Sequence, residues 1–252
     1  MGTDRRSDVA TTGTNARASD WKAGAQRSDT LMVLHLDGSR QVAAAVSIPR
    51  DSWVDIPGHG YGKINWAYSY GGPSLTVATV EKLTGIRIDH LAVVDWDGFK
   101  ELTDHIGGVD ITVPQTVYDP ANAVTWTAGR HHLDGTQALL YVRQRYGLPG
   151  GDFDRVKRQQ AFLRAVMQAS MNEQLASHPK KLYGLLETVA RNVSVDAGWS
   201  TTDMAKLVLS MRDFGYGDLR FLTAPVLGTG HIGTQSVVHL DDAAGAELWQ
   251  DL

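Results

Sequence analysis

Short apolar runs alternate with longer stretches of helical spacing along the whole chain. A run of about four to eight apolar residues is typical of a strand, and apolar residues every three or four positions indicate a helix with one buried face. The predicted strands are Leu31–Leu36, Val42–Ile48, His90–Val94, Val109–Val113 and Leu219–Thr223. The predicted helices are Pro73–Leu83, Asp97–Ile106, Gly135–Val142, Asp152–Asn172, Pro179–Arg191, Thr202–Phe214 and Asp241–Leu252.

This alternation predicts the fold class. No repeat or linker separates the elements, and two segments are predicted as loops, residues 5–27 and a long stretch from Val113 to about Gly129. The sequence therefore predicts a single α/β domain over residues 1–252. Its centre would be a mixed β-sheet flanked by helices on both faces, an α-β-α arrangement.

The sequence around the first two predicted strands indicates which polar residues lie at the end of a strand. Asp37-Gly38 between them is a hairpin signal. Pro49 ends the second strand, because proline lacks the N–H that a ladder of hydrogen bonds needs. Arg50 and Asp51 therefore follow the carboxyl end of a strand.

Charge and cysteine content exclude several classes of function. Lys plus Arg total 24 against 28 Asp plus Glu, a net charge of −4, whereas a protein that binds nucleic acid normally has a basic excess. The chain has no cysteine, which removes thiol nucleophiles, Cys-based zinc sites and disulfides. It also lacks the phosphate-loop, dinucleotide and nucleophile-elbow motifs. An anion site in this chain must therefore be a local cluster of arginines.

Such a cluster lies in the middle of the chain, at Arg143, Arg145, Arg155 and Arg158. Arg155 and Gln159 are one helical turn apart and share a face that continues into apolar positions, so this face points inward. It begins in the first turn of a predicted helix, where free N–H groups and the helix dipole favour an anion. An inward arginine needs a phosphate or a carboxylate, because burying an unpaired charge is costly.

Two explanations of the cluster remain open at this point. Each arginine could pair with a nearby acid in an ordinary salt bridge, with Asp134, Asp152 or Asp154 as the partner. For a single arginine this is the simpler interpretation. Four arginines so close together, two of them facing inward, favour a ligand site.

Carboxylates supply the complementary half of a phosphate site. Asp29 lies immediately before the first strand, Asp51 follows the second, and Asp4 lies near the start of the sequence. Two carboxylates beside arginines suit a Mg²⁺ ion that is bridged to phosphate oxygens. The alternative is a turn cap, which spacing alone favours for Asp4 and leaves equal for Asp29.

Aromatic residues are dense around Lys63-Ile64-Asn65. They are Trp53, Trp66, Tyr68 and Tyr70. Such a group is either a wall on which sugars stack or a packed corner of the core, and the packed corner is the commoner case.

Taken together, these segments resemble the LytR-CpsA-Psr family of cell-wall phosphotransferases. The matching segments are Gly2-Thr3-Asp4-Arg5, Arg27-Ser28-Asp29-Thr30-Leu31-Met32, Ser47-Ile48-Pro49-Arg50-Asp51-Ser52, Lys63-Ile64-Asn65-Trp66-Ala67-Tyr68 with Gly71-Gly72, Gly107-Gly108-Val109, Leu133-Asp134-Gly135-Thr136-Gln137-Ala138-Leu139 running into Tyr141-Val142-Arg143-Gln144-Arg145, and Asp152-Phe153-Asp154-Arg155-Val156-Lys157-Arg158-Gln159-Gln160. They cover nearly the whole of residues 1–175. Several motifs in one order are much more specific than any single motif.

The resemblance implies a role for each candidate residue. The predicted pyrophosphate clamp consists of Arg50, Arg143, Arg145, Arg155 and Gln159. Asp4 and Asp29 look like the Mg²⁺ ligands of the family. Asp51 resembles the neighbouring acid, which either orients an arginine or acts as a base.

The resemblance also implies the substrates and the location. The donor would be a glycan linked to polyprenyl pyrophosphate, with its lipid chain in a hydrophobic tunnel between sheet and helices. The acceptor would be a hydroxyl of peptidoglycan, the muramic acid 6-hydroxyl, and the product a phosphodiester. The glycan could be teichoic acid, capsule, arabinogalactan or a protein-linked sugar. Members of the family are usually single-pass proteins of the cell membrane with an extracytoplasmic catalytic domain, so an anchor is expected before Met1, outside this sequence.

Three other functions use part of the same evidence. A pyrophosphatase would place water where the sugar hydroxyl attacks, and the same residues would serve it. A non-catalytic module that binds polyprenyl phosphates needs the tunnel and the arginines but not the carboxylates. A DNA-binding regulator is the weakest candidate, because the chain has no basic stripe.

Overall fold

The structure, a computed structural model, describes residues 1–3, 27–39, 42–172, 178–211 and 217–252. The strands are β1 (Gly2–Thr3), β2 (Ser28–Leu36), β3 (Ala43–Ile48), β4 (Trp53–Ile56), β5 (Gly60–Lys63), β6 (Ala92–Val94), β7 (Val109–Val113), β8 (Val117–Asp119), β9 (Val124–Trp126), β10 (Gly129–Leu133), β11 (Val193–Val195), β12 (Leu219–Thr223), β13 (Val226–Ile232) and β14 (Gln235–Leu240). The helices are α1 (Ile64–Thr84), α2 (Trp96–His105), α3 (Gly135–Arg143), α4 (Asp152–Asn172), α5 (Pro179–Asn192), α6 (Thr201–Ser210) and α7 (Asp242–Gln250).

The chain forms two compact units. The first comprises Met1–Asp95, Val193–Ser200 and Asp213–Leu252, and the second comprises Trp96–Asn192 and Thr201–Arg212. The sequence analysis predicts one catalytic domain over residues 1–252, and this stays a prediction. None of the helices in the described part of the chain is both long enough and apolar enough to cross a membrane.

Six strands of the first unit form a mixed sheet in the order β11-β6-β1-β2-β3-β12. The β1–β6 and β3–β12 pairs are parallel, and the other three pairs are antiparallel. All six residues of β3 are buried, so both faces of this strand are covered. The predicted α/β class, with a central mixed sheet flanked by helices, is confirmed.

The core of the first unit lies between this sheet and helices α1 and α7. Alternate residues of β2 and β3 point into it, among them Val33 and Val46, and Trp249 of α7 packs against them. The β4–β5 hairpin adds Val54 and Ile56 from its inner face. The edge of this hairpin is joined to β14 by a bridge between Ser52 and Val238.

Helix α1 bends sharply in its middle. Gly71 and Gly72 leave the helical region, and Gly72 has φ 63° and ψ −152°, a conformation that essentially only glycine adopts. Pro73 begins the second segment, as it commonly begins a helix. Gly85 ends it in the left-handed conformation, as the sequence predicts.

The second unit packs helices against two antiparallel strand pairs, β7–β10 and the β8–β9 hairpin that lies between them in the chain. Its core contains alternate residues of β7, Tyr141 of α3 and Phe162 of α4. Gly135, at the start of α3, lies so close to the backbone of Lys100 on α2 that a Cβ atom would come within 2.3 Å of the Lys100 carbonyl oxygen. Asp134 caps α3 in a capping box with Gln137.

Each predicted helix has a counterpart in the structure, although α1 begins at Ile64 and not at Pro73. The sequence does not predict strands β1, β4, β5, β8, β9, β10, β11, β13 and β14. The bounds of β7, β12 and α4 are as predicted, and Arg50 and Asp51 follow β3 as expected. The predicted loop from Val113 to about Gly129 is wrong, because it contains the hairpin of β8 and β9 and leads directly into β10. The predicted loop of residues 5–27 lies almost wholly outside the described residues.

Candidate functional site

The turn after β3 presents Arg50 and Asp51 and is fixed by backbone hydrogen bonds from two directions. The start of α1 donates to the turn twice, and β14 donates once. The hydrogen bonds are Asn65 N to Arg50 O (3.2 Å), Ile64 N to Ser52 O (2.8 Å) and Val238 N to Asp51 O (2.9 Å). Because these carbonyls are held by regular elements, the two side chains start from a fixed backbone.

Four charged side chains form a network at this turn, which we call the Arg50 group: Asp29, Arg50, Asp51 and Lys63. Arg50 Nη1 donates to Asp29 Oδ1 at 2.5 Å. Asp51 lies between two cations, with Arg50 Nε 3.6 Å from Oδ2 and Lys63 Nζ 3.4 Å from Oδ1. All four side chains are at least two-thirds buried, and their formal charges cancel.

Asp29 is the one predicted Mg²⁺ ligand that can be placed. Its Oδ1 atom accepts a hydrogen bond from Arg50, and a carboxylate has further lone pairs with which it could bind a cation. Asp4, the second predicted ligand, lies outside the described residues. Among the residues that are described, no group of three or more His, Cys, Asp or Glu is placed to hold a metal ion. The donor set is compatible with a Mg²⁺ that takes few protein ligands, provided that Asp4 adds a second carboxylate.

A second charged network lies at the start of α4, in the second unit, and we call it the Asp152 group: Arg145, Asp152 and Arg155. Asp152 Oδ1 accepts from Arg145 Nε and Oδ2 accepts from Arg155 Nη2, each at 3.0 Å. The Arg155 side chain is only 6% exposed, whereas that of Arg145 is 44% exposed. The inward position predicted for Arg155 is confirmed. The salt bridges considered as an alternative also form, with Asp152 as the acid for both arginines.

Arg143 and Gln159 complete the predicted clamp in this unit. The Arg143 guanidinium lies over the ring of Trp96, with Cζ 3.5 Å from the ring centroid. This cation–π contact holds an exposed arginine in one place. Gln159 is half-buried on α4, one turn after Arg155, as predicted.

Arg158, the fourth arginine of the cluster, has a different environment. It is 7% exposed, and its Nη1 atom donates to Gln144 Oε1 at 2.6 Å and to the Tyr141 carbonyl at 3.3 Å. Its guanidinium also lies over the Tyr141 ring, 4.2 Å from the centroid. Burial lowers the pKa of Arg158 and raises that of Tyr141, because both charged forms lose solvation.

The aromatic group of the first unit is a packed corner for most of its members. Trp53 meets Trp66 edge to face, with centroids 6.1 Å apart, and Trp66 lies 6.2 Å from Tyr70. Tyr68 is 3% exposed. Tyr70 stacks on His59 and is 43% exposed, which makes it the most exposed of the four aromatic residues.

The structure brings the predicted residues together in two groups, one in each unit. Whether the Arg50 group and the Asp152 group meet at one ligand stays a prediction. Sequence reasoning missed Lys63, Trp96 and Gln144. Lys63 could have been found, because it lies directly before α1 in Lys63-Ile64-Asn65, the segment around which the aromatic residues are dense. Trp96 and Gln144 act through contacts that spacing does not encode.

Comparison with known proteins gives consistent matches. The LytR_cpsA_psr family model matches residues 1–252. The cell wall biosynthesis protein LcpA of Corynebacterium glutamicum is 33% identical, over 96% of this chain and 52% of the relative. The polyisoprenyl-teichoic acid–peptidoglycan teichoic acid transferase TagU of Bacillus mycoides is 38% identical, over 68% of this chain and 56% of the relative. The chain thus spans a little over half the length of these two relatives.

Solved structures agree with the sequence comparison. The crystal structure of Bacillus subtilis TagV superposes with a TM-score of 0.76 at 32% identity and covers 89% of this chain and 87% of that chain. A similarity of this size over most of both chains extends the shared fold to both units.

Proposed function

This chain belongs to the LytR_cpsA_psr family, and we propose that it transfers a glycan from a polyprenyl pyrophosphate carrier to peptidoglycan through a phosphodiester bond. The observation that carries the proposal is the pairing of arginines with carboxylates in both charged groups. Relatives named as cell wall biosynthesis proteins and as teichoic acid transferases support a role in moving a glycopolymer. The glycan and the acceptor are part of the proposal.

The arginines fit the charge of such a donor. A pyrophosphate diester carries two negative charges, and more charge develops on the leaving lipid phosphate as the bond to it breaks. Arg145, Arg155 and Arg50 already bind carboxylates, which have the same hydrogen-bonding geometry as two phosphate oxygens. Guanidinium groups that are fixed before the substrate arrives stabilise the transition state more than the ground state.

The reaction requires a hydroxyl of the acceptor to attack the phosphorus on the glycan side. The new P–O bond forms as the bond to the lipid phosphate oxygen breaks, and polyprenyl phosphate leaves with the bonding electrons. The hydroxyl proton passes either to the Asp51 carboxylate or to the leaving lipid phosphate. Asp51 lies between Arg50 and Lys63, and this supports a part in orienting Arg50.

Mg²⁺ belongs to the same proposal. Asp29 would hold it together with Asp4 and the substrate oxygens. When bound, the ion would neutralise charge on the pyrophosphate. The protein's own contribution is the orientation of Asp29 by Arg50.

The location and the lipid site are also proposals. A hydrophobic tunnel for the polyprenyl chain and an extracytoplasmic domain on a membrane anchor are what the resemblance to the family implies, and we include both in the proposal. The names of relatives as cell-wall proteins support the extracytoplasmic side of the membrane. Mass spectrometry of lipid that co-purifies with the protein would test the lipid site, and an isoprenoid phosphate is the expected result.

The clamp is tested most directly with Arg145→Ala. Arg145 is partly exposed, so the variant should fold, and we expect transfer of glycan from lipid-linked donor to peptidoglycan to fall by about 100-fold or more. Arg130→Ala is the matched control, because Arg130 lies in the same unit, is 75% exposed and forms an ion pair with Asp110. Full activity of Arg145→Ala would refute the clamp.

The same assay separates the alternative activities. Glycan that becomes bound to peptidoglycan indicates transfer, whereas free glycan phosphate with and without peptidoglycan indicates a pyrophosphatase. Asp29→Ala should abolish either reaction and retain lipid binding. If the wild-type protein binds polyprenyl phosphate and catalyses neither reaction, the chain is a binding module.

A further inference from the structure

Arg158 and Gln144 form a buried pair that touches the segment carrying Arg145. We propose that these two residues are positioning residues: they fix residues 145–151, which we call the Arg145 loop, against strand β8, and Arg158 does not bind substrate. This inference rests on the proposed function, because it concerns how Arg145 is placed for the reaction.

The first contact of the pair joins α4 to the end of α3. Arg158 donates to the side-chain oxygen of Gln144 at 2.6 Å, and the two residues are 7% and 1% exposed. The Tyr141 ring covers the guanidinium, and the Tyr141 carbonyl accepts a second hydrogen bond from Nη1. A cation enclosed in this way faces protein groups, which is why we assign it no phosphate.

The second contact joins Gln144 to two separate backbone segments. Its Nε2 atom donates to the Tyr146 carbonyl at 2.9 Å and to the Tyr118 carbonyl at 3.3 Å. Only one orientation of the amide satisfies all partners, with oxygen toward the arginine and nitrogen toward the two carbonyls. One buried amide therefore links the Arg145 loop to β8.

Gly147 shows how closely the loop approaches β8. It has φ +78°, and a Cβ atom built on it would lie 2.1 Å from the Tyr118 carbonyl oxygen. That oxygen is the same one that accepts from Gln144. The close approach of Gly147 and the hydrogen bond from Gln144 are therefore parts of one contact between the Arg145 loop and β8.

Arg145 lies between two fixed neighbours in the chain. The residue before it, Gln144, accepts a hydrogen bond from Arg158. The residue after it, Tyr146, accepts a hydrogen bond at its carbonyl from the Gln144 side chain. The backbone of a partly exposed arginine is thereby fixed from the interior. A displacement of about 1 Å at a catalytic group can lower a rate by about 100-fold, so this support matters for the reaction.

Gln144→Glu tests the inference, because it separates the two contacts. Glutamate retains an acceptor for Arg158, and it cannot donate to the carbonyls of Tyr146 and Tyr118. We expect amide hydrogen exchange in residues 145–151 to become faster by about tenfold or more, as in a segment that opens locally. We also expect kcat for transfer to fall by about tenfold or more with a change in KM of less than about threefold.

Gly147→Ala is the second variant, in case a glutamate at a buried position prevents folding. It leaves Arg158 and Gln144 unchanged and pushes the loop from β8, so the same faster exchange and lower kcat are expected. Gln168→Glu, at an exposed position on α4, is the matched control and should behave as wild type.

The outcomes are distinct from those of the proposed function. Wild-type exchange in residues 145–151 of both variants would overturn the inference, whatever the protein catalyses. Faster exchange with unchanged kcat would overturn it as well, because the loop would then be fixed without consequence for the reaction. A wild-type protein without transferase activity would refute the proposed function, while the exchange measurement would still test the contact.

Discussion

Asp152 is the residue on which two of the predicted clamp arginines converge. Its carboxylate lies 3.0 Å from a guanidinium nitrogen of Arg145 and 3.0 Å from one of Arg155. A guanidinium has five N–H donors and this pairing uses one of them on each arginine, so a pyrophosphate bound by both arginines brings its negative charge next to that of Asp152. Asp152 therefore competes with the ligand and, at the same time, keeps the two arginines close together.

Asp152→Asn should bind inorganic pyrophosphate more tightly than the wild type. The amide removes the competing charge, although its single oxygen can accept from only one of the two arginines. A partly exposed ion pair is worth up to about 1 kcal/mol, or about fivefold in affinity. Isothermal titration with pyrophosphate measures the effect. Weaker binding in Asp152→Asn would mean that holding the two arginines together outweighs the competition.

The residue scale also shows what spacing can and cannot predict. The interval between Arg155 and Gln159 correctly predicts a shared inward face. Arg158 has the same residue type and nearly the same position, yet it binds Gln144 and Tyr141. The two arginines differ only in which neighbours surround them, and those neighbours come from α3, which spacing within α4 does not describe.

At the scale of elements, the bend in α1 depends on Gly72. A residue with a Cβ atom is strained at φ 63° and ψ −152°, by about 1–3 kcal/mol. We expect Gly72→Ala to lower the free energy of unfolding by this amount in a denaturant titration. Gly38→Ala is the control, because a Cβ at Gly38 meets nothing within 4 Å, and it should change stability by less than about 0.5 kcal/mol.

The start of α4 gives a prediction about pH. Lys157 lies 3.0 Å from Asp154, the Gly150 N–H donates to the same carboxylate at 2.7 Å, and both contacts hold the pKa of Asp154 below its ordinary value. A folded-state pKa below the unfolded one stabilises the protein above the unfolded pKa of about 3.9, and the contribution disappears as the pH falls through the folded value.

Asp154→Asn should therefore be less stable than the wild type at pH 7, and the difference should shrink below about pH 4. Thermal melts from pH 7 to pH 2 measure it. Asp251→Asn, on the exposed last residues, is the control and should show no such convergence. A difference that stays constant at low pH would show that the carboxylate charge of Asp154 is not its source.

Elements differ in how well the sequence predicts them, for a physical reason. A long amphipathic helix such as α4 repeats its pattern over many turns, so its bounds are predictable. The strands β8 and β9 have three residues each, and β13 contains Gly228 and Gly230. Such segments take their conformation from their partner strand, and no local sequence pattern predicts this pairing.

At the scale of the whole molecule, the sheet joins distant parts of the chain. Strand β12 pairs in parallel with β3, and its register places Arg220 beside Ala44. The chain has no cysteine, so Ala44→Cys with Arg220→Cys would create a single pair. We expect this pair to form a disulfide and to stabilise the protein by about 2–4 kcal/mol.

Thermal melts with and without a reducing agent measure that stabilisation within one variant. The gain should vanish when the bond is reduced. Failure of the two cysteines to cross-link in the folded protein would contradict the register between β3 and β12.

The pairing of β3 with β12 has a consequence for synthesis on the ribosome. Strand β3 (Ala43–Ile48) is buried along its whole length, and the partner for one of its edges, β12, begins only at Leu219. A nascent chain therefore carries an apolar strand with an open edge until β12 has been translated, a state prone to aggregation. We expect emerging chains to need a chaperone at this strand, and stalled chains that end before Leu219 to be degraded.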